Sequence, residues 1–210
     1  MILMVGLVIA HFGVTLFIQA ALGSDPFNVL IQGLFRGLEE LTGWEFLTHG
    51  RVHMAVCLII ILILLIAARS YIKIGTIVCM IFGGPIIDLF TLLLGGVYNA
   101  ESPELIRYPM LVLGCVILAG GMTVVIQSEA GTGPNDLVAV VISDKLGRSF
   151  AVTRVTVDGL FVLTGFLLGG TVGIGTIICA FLVGPVAGKL LPVSKKLIDK
   201  IISRAIQEKR

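Results

Sequence analysis

Charge is scarce in this sequence: 13% of the 210 residues are charged, whereas 57% are hydrophobic and 26 residues are glycine. An average soluble domain is about 25% charged. A chain of this length has too small an interior to hide so much apolar surface from water. The composition therefore excludes a soluble enzyme, a nucleic-acid-binding protein and a disordered chain. It predicts an all-α protein that crosses a membrane several times.

Cysteine is also scarce, and its spacing indicates no site. The four cysteines lie within apolar runs and show no CxxC spacing, which excludes a disulfide framework and a zinc site: Cys57, Cys79, Cys115 and Cys179. The sequence also lacks a Walker loop and a nucleophile–base set. We therefore expect no enzymatic activity, no metal and no cofactor.

Long apolar runs are what the sequence does contain. Six of them approach the length of about 20 residues that a membrane span needs, at 1–22, 53–68, 72–97, 109–128, 151–169 and 172–192. They show no alternation of apolar and polar residues, which argues against barrel strands. The sequence thus predicts six long transmembrane helices in a helical bundle.

A basic tail follows the last run. Residues 194–210 combine lysine and arginine with apolar residues at helical spacing, which predicts an amphipathic helix on the cytoplasmic membrane surface. No aromatic residue lies between these charges, so nucleic-acid binding is not expected. The C-terminus is accordingly predicted to be cytoplasmic.

The chain reads as a single membrane domain of two homologous repeats, residues 5–97 and 109–193. At one constant offset, glycine, glutamine and proline recur in both halves: Gly6, Gly13, Gln19, Gly23 and Pro26 align with Gly114, Gly121, Gln127, Gly131 and Pro134. Further along, Ile74–Ile77 and Gly84–Pro85 align with Ile174–Ile177 and Gly184–Pro185. Such repetition is typical of transporters built from two related halves.

Each half contains a Gly-Pro break followed by a short predicted helix, at 26–42 and 134–147. If these helices cross the membrane, each half has four spans and the repeats are parallel. If they re-enter or lie on the surface, each half has three spans and the repeats are inverted. The lysine and arginine distribution does not separate the two arrangements, and we favour crossing helices tucked between the long ones.

We predict that glycine and proline around these segments allow neighbouring helices to pack closely. The alternative is that the prolines act as hinges. The residues concerned are Gly23, Pro26, Gly75, Pro85, Gly131, Pro134, Gly175 and Pro185.

Polar side chains within apolar runs are costly and are therefore candidates for function. The predicted substrate- or ion-binding residues are Gln19, Asn28, Gln127, Asn135, Asp136, Arg154 and Asp158. Arg154 and Asp158 are four residues apart on one predicted helix and can pair. Asn28 aligns with Asp136, and Ala55 with Asp158, which predicts an asymmetric site in the second half. The alternative interpretation is a polar clamp that holds the broken helices together.

The segments ALGSDPFNV (21–29) and GTGPNDL (131–137) resemble those of the YczE/YyaS/YitT-like family of bacterial integral membrane proteins. Gly173–Ile177 and Val183–Pro185 resemble the second-half signature of its YczE-type members. Asn28 departs from the family's usual aspartate, while Arg154 and Asp158 resemble its arginine and glutamate. The resemblance implies a protein of the bacterial inner membrane with a suspected transport role, and it supplies no substrate.

We therefore expect a small secondary transporter or facilitator for an anionic or zwitterionic small molecule, with one polar site between the halves. Arg154 would bind an anionic group or balance Asp158, and Asp136 or Asp158 would take up a coupling proton or cation. The amides of Gln19, Gln127, Asn28 and Asn135 would orient the substrate.

The alternative is a non-transporting scaffold or assembly factor that binds a cytoplasmic protein through its tail. The expected partners are the lipid bilayer and a small-molecule or ion substrate, and a homo-oligomer stays an open alternative.

Overall fold

The computed structural model describes residues 1–23, 25–44, 49–99 and 101–207, and helices dominate this part of the chain. The helices are α1 (Ile2–Gln19), α2 (Pro26–Thr42), α3 (His49–Ala67), α4 (Ile74–Leu94), α5 (Glu104–Gln127), α6 (Pro134–Leu146), α7 (Phe150–Leu167) and α8 (Ile174–Gln207). A 3-10 turn, Arg69–Tyr71, precedes α4. Five helices, α1, α4, α5, α7 and α8, are long and apolar enough to cross a membrane. The protein is therefore an all-α membrane protein, as its composition predicts.

The two short helices begin at the prolines of the breaks, where the sequence places them. The fixed φ of proline suits the first helical turn, where its missing N–H is not needed. The Asp25 carboxylate caps α2 by accepting the backbone N–H of Asn28 at 3.2 Å. α2 and α6 end at Gly43 and Gly147, whose φ angles of 61° and 59° suit glycine.

The centre of the bundle is the packing of α1 against α5. A Cβ atom on Gly13 would lie 2.4 Å from the backbone nitrogen of Leu118, and one on Gly121 would lie 2.2 Å from that of Ala10. The backbones can approach this closely because these positions lack a side chain. Gly6 lies beside Val125, so residue numbers fall along α5 as they rise along α1. The two helices are antiparallel.

This antiparallel packing differs from the direction expected for the arrangement favoured from sequence. Four crossings in the first half would make α1 and α5 parallel, and the contacts of Gly6 and Gly121 show the opposite direction. Sequence similarity between the halves contains no information about their relative direction in the membrane, because the same residues recur in parallel and in inverted repeats. The direction of α1 relative to α5 is visible only in their tertiary contacts.

The short helices each lie parallel to a long helix of the other half. α2 runs beside the end of α7, where a Cβ on Gly33 would lie 2.2 Å from the carbonyl oxygen of Gly165 and Arg36 donates to the carbonyl of Gly169. α6 runs beside the end of α3, where Leu137 packs near Leu64. Each short helix thus ends beside the end of a long helix.

The basic tail does not form a helix of its own. Its described part, 194–207, continues α8, which runs unbroken through Pro185 and Pro192. The Ser194 hydroxyl lies 2.7 Å from that of Thr123 in α5, so the start of the tail packs against the bundle. Residues 208–210 lie outside the described part of the chain. The predicted position on the cytoplasmic surface stays a prediction.

Candidate functional site

Arg154 of α7 bridges two carboxylates. Its Nε donates to Oδ2 of Asp158 at 2.8 Å, and its Nη1 donates to Oδ1 of Asp136 at 2.5 Å. Arg154 is 7% exposed and Asp158 is 1% exposed. We call these three residues the central triad, whose formal charge is −1 at neutral pH. Burying charges is costly even when they are paired, so stability alone does not account for the triad.

Three helices position the triad. α7 places Arg154 and Asp158 one turn apart, and α6 carries Asp136 in its first turn, where the helix dipole favours an anion. The side-chain amide of Asn135 donates to Oδ1 of Asp136 at 3.1 Å. Met122 of α5 completes the surroundings, with its sulfur 3.9 Å from Nη1 of Arg154. The predicted residues Asn135, Asp136, Arg154 and Asp158 therefore do come together.

One oxygen of the triad is left without a partner. Oδ1 of Asp158 is buried and accepts no hydrogen bond from the described residues. A carboxylate oxygen can accept two hydrogen bonds, and leaving it bare in an apolar interior is costly. This atom is therefore where a proton, a cation or a donor group of a ligand would be stabilised.

The first half has a neutral amide at the position equivalent to Asp136. The side-chain amide of Asn28 donates to Oδ2 of Asp25 at 2.6 Å, within the cap of α2. Ala55 occupies the position aligned with Asp158. Among the described residues, the second break therefore contributes an ion pair, through Asp136, and the first does not.

Gln19 and Gln127 lie away from the triad. The amide of Gln19 donates to the carbonyl of Thr91 at 3.1 Å, which joins the ends of α1 and α4. The amide of Gln127 lies 3.4 Å from the carbonyl of Leu191 in α8. Because α1 and α5 are antiparallel, these two contacts lie at opposite ends of the bundle. The structure thus does not bring either amide together with Arg154.

The glycines of the breaks make close backbone contacts between the halves. The N–H of Gly75 donates to Ala130, and that of Gly175 donates to Leu22, both at 2.8 Å. Gly23 and Gly131 have φ angles of 136° and 122°, which side chains rarely adopt. Pro85 and Pro185 lie within α4 and α8, and Pro26 and Pro134 open α2 and α6. Each break is thus docked on the first turn of a helix from the other half.

The sequence did not reveal two strained residues and the cations beside them. Ala21 and Glu129 have φ angles of 49° and 53°, unusual for residues with a side chain, and they occupy aligned positions. Arg107 donates to the carbonyls of Ala20 and Ala21 at 2.7 and 3.1 Å. Lys73 donates to the carbonyl of Glu129 at 2.5 Å. The sequence feature that could have revealed Ala21 and Glu129 is their aligned position, two residues before the glycine of each break.

Comparisons with known proteins agree on the kind of protein. The profile of a family of unknown function (DUF6198) matches residues 1–192. The chain is 28% identical over 200 residues to the uncharacterized membrane protein YczE of Bacillus subtilis (strain 168), covering 95% of this chain and 88% of that protein.

It is 27% identical over 194 residues to the uncharacterized protein YyaS of the same organism, covering 91% and 92% of the two chains. An uncharacterized protein of Haemophilus influenzae is 26% identical over 196 residues, with 93% and 84% covered. No solved structure matches. The resemblance to YczE-type membrane proteins is confirmed.

Proposed function

The chain belongs to DUF6198, a family of unknown function, and we propose that it is a small secondary transporter or facilitator. The observation that carries this proposal is the central triad. Arg154 is buried among apolar helices and holds one carboxylate of its own helix and one at the start of a broken helix. Ionisable groups in this setting typically mark substrate and ion pathways.

The antiparallel pair α1 and α5 supports two inverted repeats of three spans each. In this arrangement α3 is the sixth span, and α2 and α6 re-enter from opposite sides without crossing. The N-cap of α2 is Asp25 and the first turn of α6 carries Asp136, and the dipoles of both helices favour negative charge at these ends. Inverted repeats with discontinuous helices are common in secondary transporters.

The proposed orientation has the C-terminus in the cytoplasm of a bacterial cell. Lys195, Lys196 and Lys200 are exposed near the C-terminal end of α8, and cytoplasmic flanks usually carry such lysines. The end of α6 and the start of α4 lie on that side, whereas Arg36 and Arg107 lie on the other.

In the proposed mechanism Arg154 attracts the anionic group of the substrate. A substrate that displaces Asp136 from Arg154 would leave that carboxylate to be neutralised by a proton or a cation. Asp158 keeps Arg154 oriented, and its free Oδ1 accepts the coupling proton. Exchange of partners around one arginine would thus link substrate binding to ion binding.

The second candidate is a membrane scaffold, favoured by the exposed lysines of α8. Removing residues 195–210 distinguishes the two functions. A transporter reconstituted without these residues should retain its flux, whereas a scaffold should lose its cytoplasmic partner in affinity purification from membranes.

The proposal is tested by flux in proteoliposomes, with a panel of radiolabelled amino acids and carboxylic acids and an imposed pH gradient. We expect at least one compound to accumulate with the wild type and its flux to fall at least tenfold in Asp136→Asn and Asp158→Asn. Arg148→Gln is the matched control, because Arg148 is an exposed cation on the connection from α6 to α7.

Two outcomes would contradict the proposal. If both aspartate variants transport the compound at the wild-type rate, the triad is not the site. If the wild type moves no compound in the panel, the scaffold is the better interpretation.

A further inference from the structure

We propose that a cavity beside the second break binds a small zwitterion with an apolar body, such as an aliphatic α-amino acid. The cavity has a volume of about 340 Å³, a size that accommodates small ligands. It is lined by Ser70, Tyr71, Lys73, Ile126, Glu129, Gly131, Thr132, Leu137 and Val140. This inference names the substrate class and rests on the proposed transport function.

Thr132 lies in the wall of this cavity. The residue is 4% exposed, and its buried hydroxyl oxygen has no hydrogen-bond partner among the described residues. Because this oxygen is buried, the polar contacts of a ligand would come from the exposed side chains of Lys73 and Glu129.

The cavity wall also carries opposite charges that are not paired with each other. Lys73 uses one N–H on the backbone carbonyl of Glu129, and its ammonium group has two more. In the part of the chain that the structure describes, the ion pairs join Arg154 to Asp136 and Asp158. The Glu129 carboxylate is thus not ion-paired with Lys73. Together, the two side chains complement a ligand carboxylate and a ligand ammonium group.

The remaining wall is apolar. Ile126, Leu137 and Val140 line it, and Tyr71 contributes a neutral ring. The Tyr71 hydroxyl donates to Oδ2 of Asp144 at 3.0 Å, and this bond raises the pKa of Tyr71. The phenol therefore stays uncharged at neutral pH. An aliphatic side chain matches this wall better than a second charged group would.

The position of the cavity connects it to the central triad. Glu129, Gly131 and Thr132 belong to the segment that leads into α6, whose first turn carries Asp136. On the opposite side of the bundle, Arg107 binds Ala20 and Ala21 of the equivalent segment, as Lys73 binds Glu129 here. The cavity thus adjoins a break on the side where the proposed orientation places the cytoplasm.

The test is equilibrium binding of radiolabelled leucine to the full-length purified protein in detergent. Two analogues compete with leucine: 4-methylpentanoate lacks the ammonium group, and 3-methylbutylamine lacks the carboxylate. We expect saturable binding of leucine and at least tenfold weaker competition by each analogue. Lys73→Gln and Glu129→Gln should each weaken leucine binding at least tenfold, whereas Arg148→Gln should bind like the wild type.

Three results would overturn the zwitterion site: no saturable leucine binding, equal competition by 4-methylpentanoate, or unchanged binding by Lys73→Gln and Glu129→Gln when both variants are folded in a thermal-unfolding assay. The flux measurement separates this failure from failure of the transport function. Triad-dependent flux of another compound without leucine binding refutes only the cavity site. Leucine binding that depends on Lys73, without flux of any compound, refutes only the transport function.

Discussion

The two breaks of the chain, residues 20–25 and 128–133, share a backbone design but differ in chemistry. Each has a residue of positive φ, Ala21 or Glu129, followed two positions later by glycine of positive φ. Each also accepts a hydrogen bond from the first turn of a helix in the other half. The shared backbone shows that breaking and docking the chain is an architectural feature of both halves.

Charge is what distinguishes the breaks. After the first break, Asn28 and Asp25 bind each other and close the cap of α2. After the second break, Asp136 binds outward to Arg154 of α7. Asp136 thus takes part in a buried ion pair between helices. The aligned Asn28 instead bonds to the cap residue Asp25, whose own aligned position is Gly133. The comparison teaches that the two breaks share a backbone conformation, while the ion pairs among the described residues lie in the second half.

The largest expected effect comes from removing the cation of the second break. Arg154→Ala leaves Asp136 and Asp158 without their common partner, and we expect a loss of about 3–5 kcal/mol in the free energy of unfolding. SDS-induced unfolding in mixed micelles measures this loss. Arg148→Ala, which removes an exposed arginine nearby, should change stability by less than about 0.5 kcal/mol. An equally small effect of Arg154→Ala would show that the triad is not a buried ion pair.

Glycine substitutions test whether the two breaks are equally constrained. A Cβ on Gly131 would lie 2.6 Å from the backbone nitrogen of Thr76, whereas the nearest backbone atom to one on Gly23 would be the Cα of Gly173, at 2.9 Å. The backbone conflict is therefore closer at Gly131. Gly131→Ala should therefore destabilise more than Gly23→Ala, by about 1–3 kcal/mol for the steric conflict in addition to the strain of positive φ.

Gly147 provides the control for that comparison. Its φ is 59°, and a Cβ there would meet no atom within 4 Å. Gly147→Ala should therefore cost only the conformational strain, about 1–2 kcal/mol. If all three variants lose the same stability in the unfolding assay, the close contacts at the breaks contribute nothing.

The smallest effect is expected at the cations that cover the breaks. Arg107 makes two hydrogen bonds to the first break, and Lys73 makes one to the second. Arg107→Ala should lower the local opening free energy by about 1–2 kcal/mol, and Lys73→Ala by about half as much. Amide hydrogen exchange of residues 20–23 and 129–132 measures each opening separately. Faster exchange at the other break in either variant would contradict this assignment.

Sequence reasoning predicted the short helices well, because proline and glycine act locally. Pro26 and Pro134 begin α2 and α6, and the second helix ends one residue before its predicted end. The pairing of Arg154 with Asp158 was also predictable from helical spacing. The partner from α6, Asp136, was a candidate, but no spacing rule relates residues on different helices.

The amides of Gln19 and Gln127 show the limit of that reasoning. Their aligned positions beside the breaks suggested a common interior site, yet each binds a carbonyl near an opposite end of the bundle. The reason is the antiparallel packing of α1 and α5, which sends equivalent positions to opposite ends. Alignment within a sequence contains no information about this direction.

The sequence by itself determined that the protein lies in a membrane, where its chain breaks, and which half carries the charge. These properties follow from composition and from the local conformational preferences of proline and glycine. Only the tertiary structure decided that α1 and α5 are antiparallel, that Ala21 and Glu129 adopt positive φ, and that a cavity adjoins the second break. The physical reason is that these properties arise from contacts between helices that are distant in sequence. Close packing of glycine against the backbone of another helix fixes which helices make these contacts.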